Sequence, residues 1–334
     1  MVRWLWTSRS PAAQLTRLLL IPASALWHLT MATRRLGYRR RLFAVRTLPL
    51  PSVAIGNLSV GGSGKTPLSA WVAQHYLARG VKPAIVLRGF GGDEPAVHRE
   101  QVPGAIVVAN PDRYAGTVLA VADGAQVVVL DDAYQRLDVA RDLNICLVSA
   151  ESSQAVSWSL PAGPWREGLA ELDRADFIIV TRKRADLRTA ERLAAGLRAR
   201  VAVPVAIVHL DLAVLQGLVS GRTQPIESLH GRRIVAASAI ADPDAFVAQI
   251  KRTGAQVQVA TWKDHHQFRD EDIAWLAHAA RRADAVVVTA KDAVKLRDRW
   301  PASVPEPLVA ILQVTFEAGE AELRAALDTV HQHH

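Results

Sequence analysis

The stretch SVAIGNLSVGGSGKTPLSAWVAQHYLA, residues 52–78, decides the fold. An apolar run, a glycine-rich turn and a helical segment follow one another here, which predicts a strand, a phosphate-binding loop and a helix. Glycines at 61, 62 and 64 let backbone N–H groups surround a phosphate at a helix N-terminus. The stretch therefore predicts a nucleotide site, although Ser59 stands where the standard loop pattern has glycine.

Two side chains of this loop have nucleotide chemistry of their own. Lys65 is expected to reach the β- and γ-phosphate oxygens, and the Thr66 hydroxyl can ligate Mg²⁺. A tight strand–helix turn without a ligand is the alternative. The residues expected to bind the nucleotide are Val60, Gly61, Gly62, Ser63, Gly64, Lys65, Thr66 and Pro67.

The N-terminal segment carries the excess positive charge of the chain. The formal charge is +8, and residues 1–50 contain nine arginines and no acidic residue. Within this segment the apolar run 18–31 is interrupted by Pro22 and His28, and it is shorter than the ~20 residues that span a bilayer. We therefore expect an amphipathic helix that lies on a membrane. Its apolar stripe consists of Leu15, Leu18, Leu19, Pro22, Leu26 and Leu29.

This segment has three other interpretations. A signal peptide would export the nucleotide site away from ATP, and no small-residue cleavage pattern follows. A nucleic-acid-binding arm would not need the leucine stripe. An ordinary amphipathic helix packed on its own domain stays open. The single cysteine, Cys146, excludes a disulfide within the chain, favours a reducing compartment and is expected in the core.

Downstream, apolar strand-like runs alternate with helical segments, which is typical of an α/β fold with a parallel sheet and helices on both faces. The length of 334 residues suits about two domains. Residues 214–231 are rich in glycine and turn residues and mark the expected boundary. We predict a membrane-associated arm at 1–48, a P-loop core at 49–225 and a smaller C-terminal α/β unit at 226–334.

Two groups of acidic residues are placed for catalysis. Asp131 and Asp132 end an apolar strand, where we expect one carboxylate to ligate Mg²⁺ and the other to orient or contact substrate. Asp93 is the first acidic residue of the chain and follows another strand, at the sheet edge that carries the phosphate loop. A carboxylate there can accept a hydroxyl proton. A strand-end cap and a solvated glycine-rich turn are the respective alternatives.

The segment Asp264-His265-His266 admits two interpretations. A metal site would need further ligands at zinc-type spacing, and none lies nearby in the sequence. A histidine oriented by a carboxylate for acid–base work is the sharper hypothesis, and a polar loop is the alternative.

Taken together, these motifs closely resemble the tetraacyldisaccharide 4'-kinase family, the lipid A 4'-kinases. The family loop also lacks the leading glycine, which accounts for Ser59. The matching segments are NLSVGGSGKTP at 57–67, RGFGG at 88–92, DEP at 93–95, DR at 112–113, DDAYQ at 131–135, LPAGPWRE at 160–167, DHH at 264–266 and TAKDAVKL at 289–296.

The resemblance implies a function and residue roles. The chain would phosphorylate the 4'-hydroxyl of tetraacyldisaccharide 1-phosphate with ATP. Lys65 and Thr66 would hold the ATP phosphates and Mg²⁺, with Asp131 and Asp132 completing the metal and catalytic shell. Asp93 and His265 would form the dyad that activates the hydroxyl. The expected partners are the acylated disaccharide lipid and the cytoplasmic face of the inner membrane, with no nucleic acid and no obligate protein partner.

The chain departs from the family pattern at several positions. Ala133 and Arg136 replace a glycine and a histidine of the usual DDGFQH, and Ala290 replaces a glutamate. The segment between the RGFGG and DEP motifs is shortened, so that Asp93 directly follows Gly92. Other classes stay open: another P-loop enzyme, such as a small-molecule kinase or a GTP-dependent metallochaperone, or a membrane-anchored nucleotide-binding switch.

Overall fold

A computed structural model describes residues 2–89, 92–151 and 158–332, so Phe90 and Gly91 of the RGFGG motif lie outside the described residues. The chain divides into two compact units that are not contiguous in sequence. Unit 1 consists of Met1–Arg88, Gly104–Val208 and Phe316–His334, and unit 2 consists of Gly89–Pro103 and His209–Thr315. These units differ from the predicted ranges 1–48, 49–225 and 226–334.

The helices and strands alternate along most of the chain. The helices are α1 (Val2–Thr7), α2 (Pro11–Arg39), α3 (Lys65–Leu77), α4 (Asp93–Gln101), α5 (Arg113–Ala122), α6 (Leu187–Arg198), α7 (Pro243–Arg252), α8 (Asp270–Ala280), α9 (Ala290–Leu296) and α10 (Glu320–Gln332). The strands are β1 (Ser52–Asn57), β2 (Pro83–Leu87), β3 (Ile106–Ala109), β4 (Val127–Asp131), β5 (Leu143–Ser149), β6 (Phe177–Arg182), β7 (Val205–Gly217), β8 (Thr223–Pro225), β9 (Arg233–Ser238), β10 (Gln256–Thr261), β11 (Ala285–Thr289) and β12 (Leu308–Ala318).

Unit 1 contains a parallel sheet in the order β3-β2-β4-β1-β5-β6. Strands β1, β2, β4 and β5 are buried along their whole length. Since successive side chains point to opposite faces, continuous burial means that both faces of these strands are covered. This burial explains why the strands are recognisable as unbroken apolar runs in the sequence.

Apolar contacts on the faces of the sheet stabilise unit 1. One cluster joins Ala54, Val86 and Leu130 to Ala120 of α5. Another joins strands β5 and β6 to helix α6 through buried valine, isoleucine, alanine and leucine side chains. Each fully buried side chain of this size contributes about 1.5–3 kcal/mol relative to exposure. Cys146 belongs to the second cluster, as predicted, and burial raises the pKa of its thiol.

The predicted N-terminal helix is present as α2 and is longer than the apolar run that predicts it. Ser10 caps its first turn by accepting a hydrogen bond from the Ala13 N–H, and Pro11 follows at the first helical position. Among the described residues α2 is the one helix long and apolar enough to cross a membrane by length and composition alone. It belongs to unit 1 and packs against the rest of that unit, where the indole of Trp27 donates to the Arg166 carbonyl at 2.9 Å.

The C-terminal helix α10 also belongs to unit 1. Tyr76 of α3 donates to the Leu327 carbonyl at 2.9 Å, and the His75 ring lies 2.9 Å from an Asp328 carboxylate oxygen. Leu323 and Leu327 of α10 are fully buried. These contacts explain why the last residues do not join unit 2, as the predicted range 226–334 had them.

Unit 2 has its own parallel sheet in the order β10-β9-β11-β12. The second half of β7 pairs with the short strand β8 in antiparallel orientation. Strand β7 continues to Gly217, so the first part of the predicted boundary 214–231 is strand and not linker. Helix α4, inserted between β2 and β3 in sequence, contacts α9 and belongs to this unit.

Candidate active site

The glycine-rich loop of unit 1 connects β1 to α3, as predicted. Gly64 precedes the first residue of α3 with φ 89°, a left-handed conformation that favours glycine, and Gly61 has φ 127°. The loop backbone is held from outside by the Pro164 carbonyl, which accepts from the Val60 N–H at 2.8 Å. The N-terminus of α3 thereby opens toward the loop in the arrangement that binds phosphate groups.

The segment after β6 supports the other side of this loop. Thr181 donates to the Ser63 carbonyl at 2.9 Å, and the Lys183 ammonium donates to the Gly62 carbonyl at 2.6 Å. Glu151 accepts the N–H groups of residues 183–185 at 2.7–3.1 Å. Burial alone would raise the pKa of the Glu151 carboxyl, but these N–H groups hold it below its ordinary value. An ionised Glu151 therefore fixes the segment that contacts the loop.

Lys65 and Asp132 lie close together in unit 1. The Lys65 Nζ is 3.6 Å from Asp132 Oδ1 and 3.4 Å from Asn57 Oδ1. Arg166 binds the same carboxylate, with Nη1 at 3.2 Å from Oδ1 and 3.3 Å from Oδ2. Two cations thus share one carboxylate beside the loop, and together they provide the positive charge that a triphosphate requires.

Asp131 is placed differently from its neighbour. It ends β4, is 3% exposed and accepts a hydrogen bond from the Ser69 hydroxyl of α3 at 3.1 Å. The chain leaves the extended conformation at Asp132, whose φ is 50°. Because the strand has ended, both carboxylates reach residues of α3: Asp131 contacts Ser69 and Asp132 contacts Lys65. The strand end expected from the sequence is confirmed by this geometry.

The residues predicted to hold Mg²⁺ offer only oxygen ligands. Thr66 lies in the first turn of α3, Asp131 is the last residue of β4, and Asp132 follows it. Oxygen donors with one or two carboxylates are what Mg²⁺ prefers when substrate phosphates and water complete its shell. Among the described residues there is no group of three or more His, Cys, Asp and Glu side chains that could hold a metal ion without such help.

Asp93 and His265 form a pair within unit 2. The His265 Nδ1 lies 3.1 Å from each carboxylate oxygen of Asp93. Asp93 is the first residue of α4, not part of a solvated turn, and is 3% exposed. The neighbouring His266 instead contacts Asp272 at 2.9 Å, so the two histidines of the DHH segment have different partners. The choice of His265 as the partner of Asp93 agrees with this geometry.

Several residues near these groups were not singled out from the sequence. Ser69 stands one helical turn after Lys65, a spacing that could have indicated it. Arg166 lies within the LPAGPWRE segment but has no local pattern that reveals its contact with Asp132. Asp292 and Lys295, on α9, lie beside Asp93, with Lys295 Nζ 3.4 Å from Asp93 Oδ2. Sequence separation hides this last contact.

The chain is similar to known proteins over most of its length. A curated tetraacyldisaccharide 4'-kinase from Geobacter sulfurreducens is 33% identical over 345 residues, covering 96% of this chain and 95% of that protein. The corresponding protein from Geobacter metallireducens is 36% identical and covers 83% of this chain and 88% of its own length. The crystal structure of LpxK from Aquifex aeolicus in complex with ATP covers 95% of this chain and 99% of that one, with 25% identity and a TM-score of 0.74.

The structural likeness confirms the predicted α/β fold with its P-loop unit. The family described as LpxK, tetraacyldisaccharide-1-P 4'-kinase, matches residues 16–92 and 91–332, which is nearly the whole chain. The chain therefore belongs to the tetraacyldisaccharide 4'-kinase family.

Proposed function

We propose that this chain is an ATP-dependent kinase that phosphorylates the 4'-hydroxyl of tetraacyldisaccharide 1-phosphate in lipid A biosynthesis. The observation that carries the proposal is the buried Asp93–His265 pair, with 3.1 Å from Nδ1 to each carboxylate oxygen, in a chain of the 4'-kinase family. A carboxylate that is oriented by an imidazole can act as a general base.

Unit 1 binds the nucleotide in this proposal. The backbone N–H groups of residues 60–64 and the Lys65 ammonium hold the β- and γ-phosphates, and Arg166 adds a second positive charge. Thr66, Asp131 and Asp132 hold Mg²⁺, which when bound neutralises charge on the phosphate oxygens. The Ser69 hydroxyl keeps the Asp131 carboxylate in place through the 3.1 Å hydrogen bond described above.

The reaction is an in-line transfer of the γ-phosphoryl group. The sugar 4'-oxygen forms a bond to the γ-phosphorus while the bond from that phosphorus to the β–γ bridging oxygen breaks, and ADP leaves. Asp93 accepts the proton that the 4'-hydroxyl loses. His265 orients the Asp93 carboxylate. Through the same contact, its imidazole shares with Asp93 the positive charge that the transferred proton brings. Lys65 and Arg166 stabilise the negative charge that grows on the leaving ADP.

In this proposal the enzyme works at the cytoplasmic face of the inner membrane, and the exposed face of helix α2 supports this location. Its leucine stripe faces away from unit 1, with Leu19 74% exposed and the other four leucines of the stripe at least 61% exposed. Exposed leucines beside arginines suit an anionic bilayer surface, since the leucines enter the apolar layer and the arginines meet the head groups. The acyl chains of the substrate stay in the same bilayer while its sugar reaches the enzyme.

The Asp93–His265 pair also separates this proposal from its rivals. A nucleotide-binding switch needs no buried base, and a GTP-dependent metallochaperone needs no lipid-facing helix. Asp93→Asn is expected to lower kcat by about 10²–10⁴-fold, the usual contribution of a general base. The affinity for ATP is expected to stay unchanged, because the nucleotide-binding groups belong to unit 1.

The test is incubation of the protein with γ-labelled ATP and tetraacyldisaccharide 1-phosphate in detergent micelles, with calorimetry for ATP binding. The expected product is a lipid that gains one phosphate at the 4' position, found by mass spectrometry. Wild-type protein that binds ATP but yields no 4'-phosphorylated lipid would falsify the proposal. Full activity in Asp93→Asn would leave the kinase standing and remove Asp93 as its base.

A further inference from the structure

A buried lysine contacts the Asp93 carboxylate in addition to His265. The Lys295 Nζ lies 3.4 Å from Asp93 Oδ2, and its side chain is 6% exposed while that of Asp93 is 1% exposed. Burial removes the hydration of both charges, and the attraction between the ammonium and the carboxylate offsets this loss only in part. The position of Lys295 therefore calls for an explanation beyond packing.

Lys295 is itself held in place from its own helix. Its Nζ lies 3.7 Å from Asp292 Oδ1, one turn earlier on α9. Asp292 is fully buried and accepts hydrogen bonds from the Thr289 hydroxyl at 2.6 Å and from the Ala239 N–H at 3.1 Å. These hydrogen bonds hold the Asp292 carboxylate in place. Asp292 in turn holds the Lys295 ammonium near Asp93.

The charges around Asp93 come from two directions. The loop that follows β10 contributes His265, whose Nε2 is 3.9 Å from Asp264. Helix α9 contributes Lys295 and Asp292. Burial raises the pKa of the Asp292 carboxyl, and the nearby charge of Asp93 acts in the same direction. Lys295 is thus the cation of α9 that lies beside the Asp93 carboxylate.

A second lysine of α9 provides a comparison. Lys291 lies one turn before Lys295 and pairs with Glu94 at 2.6 Å. Both side chains of that pair are 27% exposed, so water screens their interaction. The Lys291–Glu94 pair thus joins α9 to α4, whereas Lys295 contacts the Asp93 carboxylate directly.

We propose that Lys295 is a positioning residue for the transfer reaction, and that it keeps the Asp93 carboxylate ionised and aimed while His265 contacts it through Nδ1. This inference rests on the proposed function, because it assumes that Asp93 is the base. The lysine does not touch the substrate. It acts through Asp93, since a cation at this distance favours the negatively charged, proton-accepting form of a carboxyl group.

The experiment compares the pH dependence of kcat in wild-type protein and in Lys295→Met, with Lys291→Met as the matched control. Removal of the buried cation disfavours the ionised carboxylate, so the acidic limb of the profile should move upward by about one pH unit or more. At a pH on that limb this shift lowers kcat about tenfold. Lys291→Met should keep the wild-type profile, and ATP affinity should be unchanged in both variants.

A double variant separates positioning from a purely structural role. If Lys295 acts through Asp93, then Asp93→Asn combined with Lys295→Met is no slower than Asp93→Asn alone. A further loss in the double variant would show that the lysine supports the fold independently, and would overturn the inference. Lys295→Arg keeps the charge and should keep the acidic limb in place, which provides the test if the methionine variant does not fold.

The outcomes distinguish this inference from the function on which it rests. Absence of transfer by wild-type protein removes the kinase proposal itself. Transfer that is sensitive to Asp93→Asn but has an unchanged acidic limb in Lys295→Met leaves the kinase standing and overturns the role of Lys295. An acidic limb that moves equally in Lys295→Met and Lys291→Met would also overturn it.

Discussion

At the residue scale, strand β1 and the segment that follows β4 approach each other so closely that only a glycine fits between them. A Cβ on Gly56, the residue before the last of β1, would lie 2.6 Å from both the backbone nitrogen and the Cβ of Tyr134. Tyr134 cannot withdraw, since it is fully buried and its hydroxyl donates to the Glu171 carbonyl at 2.6 Å. Gly56 thus lets β1 pass directly under the loop that carries Asp132.

We expect Gly56→Ala to lower the free energy of unfolding by about 1–3 kcal/mol, the usual cost of overpacking a core. Urea denaturation measures this change. Gly196 is the control, because it is exposed in α6 with open space where a Cβ would stand. Gly196→Ala should raise stability by about 0.5–1 kcal/mol. Equal stability of the two alanine variants would contradict the clash with Tyr134.

At this scale the sequence indicates the position of a residue that lies within its own motif. Lys65 and Thr66 follow from the loop pattern, and Asp131 and Asp132 follow from the strand that precedes them. The pairing of Asp93 with His265 joins residues 172 positions apart, and only the family resemblance suggested it. Lys295 lies in the family-like segment at 289–296, but the segment alone does not indicate its contact with Asp93, because a lysine in a short helix is ordinarily a solvated residue.

At the element scale, helix α2 has two different faces. One face contacts unit 1, through Ser24, which donates to the Ser159 carbonyl at 3.0 Å, and through Arg35, which lies 2.9 Å from Glu171. The other face exposes the leucine stripe. The leucines of the stripe are exposed as predicted, but the sequence could not show that the Trp27 indole contacts Arg166. The helix packed on its domain therefore describes one face of α2, and the interfacial role of the other face stays a prediction.

We expect the combined change Leu19→Glu and Leu26→Glu to weaken binding to vesicles of anionic phospholipid at least tenfold. Each leucine contributes about 1.5–3 kcal/mol when it is buried, and a carboxylate adds repulsion. Vesicle sedimentation measures the binding. The melting temperature should not fall, since both leucines are exposed. Val259→Glu, on an exposed position of β10, is the control and should bind like wild type.

Helix α4 is the element that sequence reasoning missed. Its acidic residues Asp93 and Glu94 follow a glycine and resemble a solvated turn. They lie in the first turn of a nine-residue helix, where negative charges are favourable. A helix this short carries little periodic signal, and its contacts with α9 stabilise it instead.

At the scale of the whole molecule, the chain returns to unit 1 at its C-terminus and closes it with α10. His75 of α3 is buried at this junction between Asp328, Arg79 and Arg324. Burial lowers the pKa of the His75 imidazole, the hydrogen bond with Asp328 opposes that shift, and the neighbouring arginines add to it. The folded protein therefore favours the neutral form of the ring more than the unfolded chain does.

This arrangement predicts how stability depends on pH. Unfolded His75 takes up a proton near its ordinary pKa of about 6.5. The folded protein resists that proton, so the unfolded state binds more protons as the pH falls below about 6.5, and stability decreases there. Above that range His75 does not contribute to the pH dependence of stability, because its ring is neutral in both the folded and the unfolded state. The slope of unfolding free energy between about pH 7 and 5 should be shallower in His75→Gln than in wild type, and equal slopes would contradict the prediction.

The division of the chain into its two units could not be predicted from linear composition. The sequence indicated a turn-rich boundary near residue 214, and a linear division follows naturally from such a signal. The contacts that define the units instead join α4 to α9 and α10 to α3. Such contacts leave no local mark, because each depends on which helices meet after folding.

The interleaving of the two units limits how this gene can be recombined. Asp93 is encoded between β2 and β3, yet it folds with the unit that contains His265. A chimera of two relatives joined once, near residue 208, would combine an Asp93 from one parent with a His265 and a Lys295 from the other. A recombinant that keeps all three residues from one parent must take residues 89–103 and residues 209–315 from that same parent, which a junction placed between these two segments cannot do.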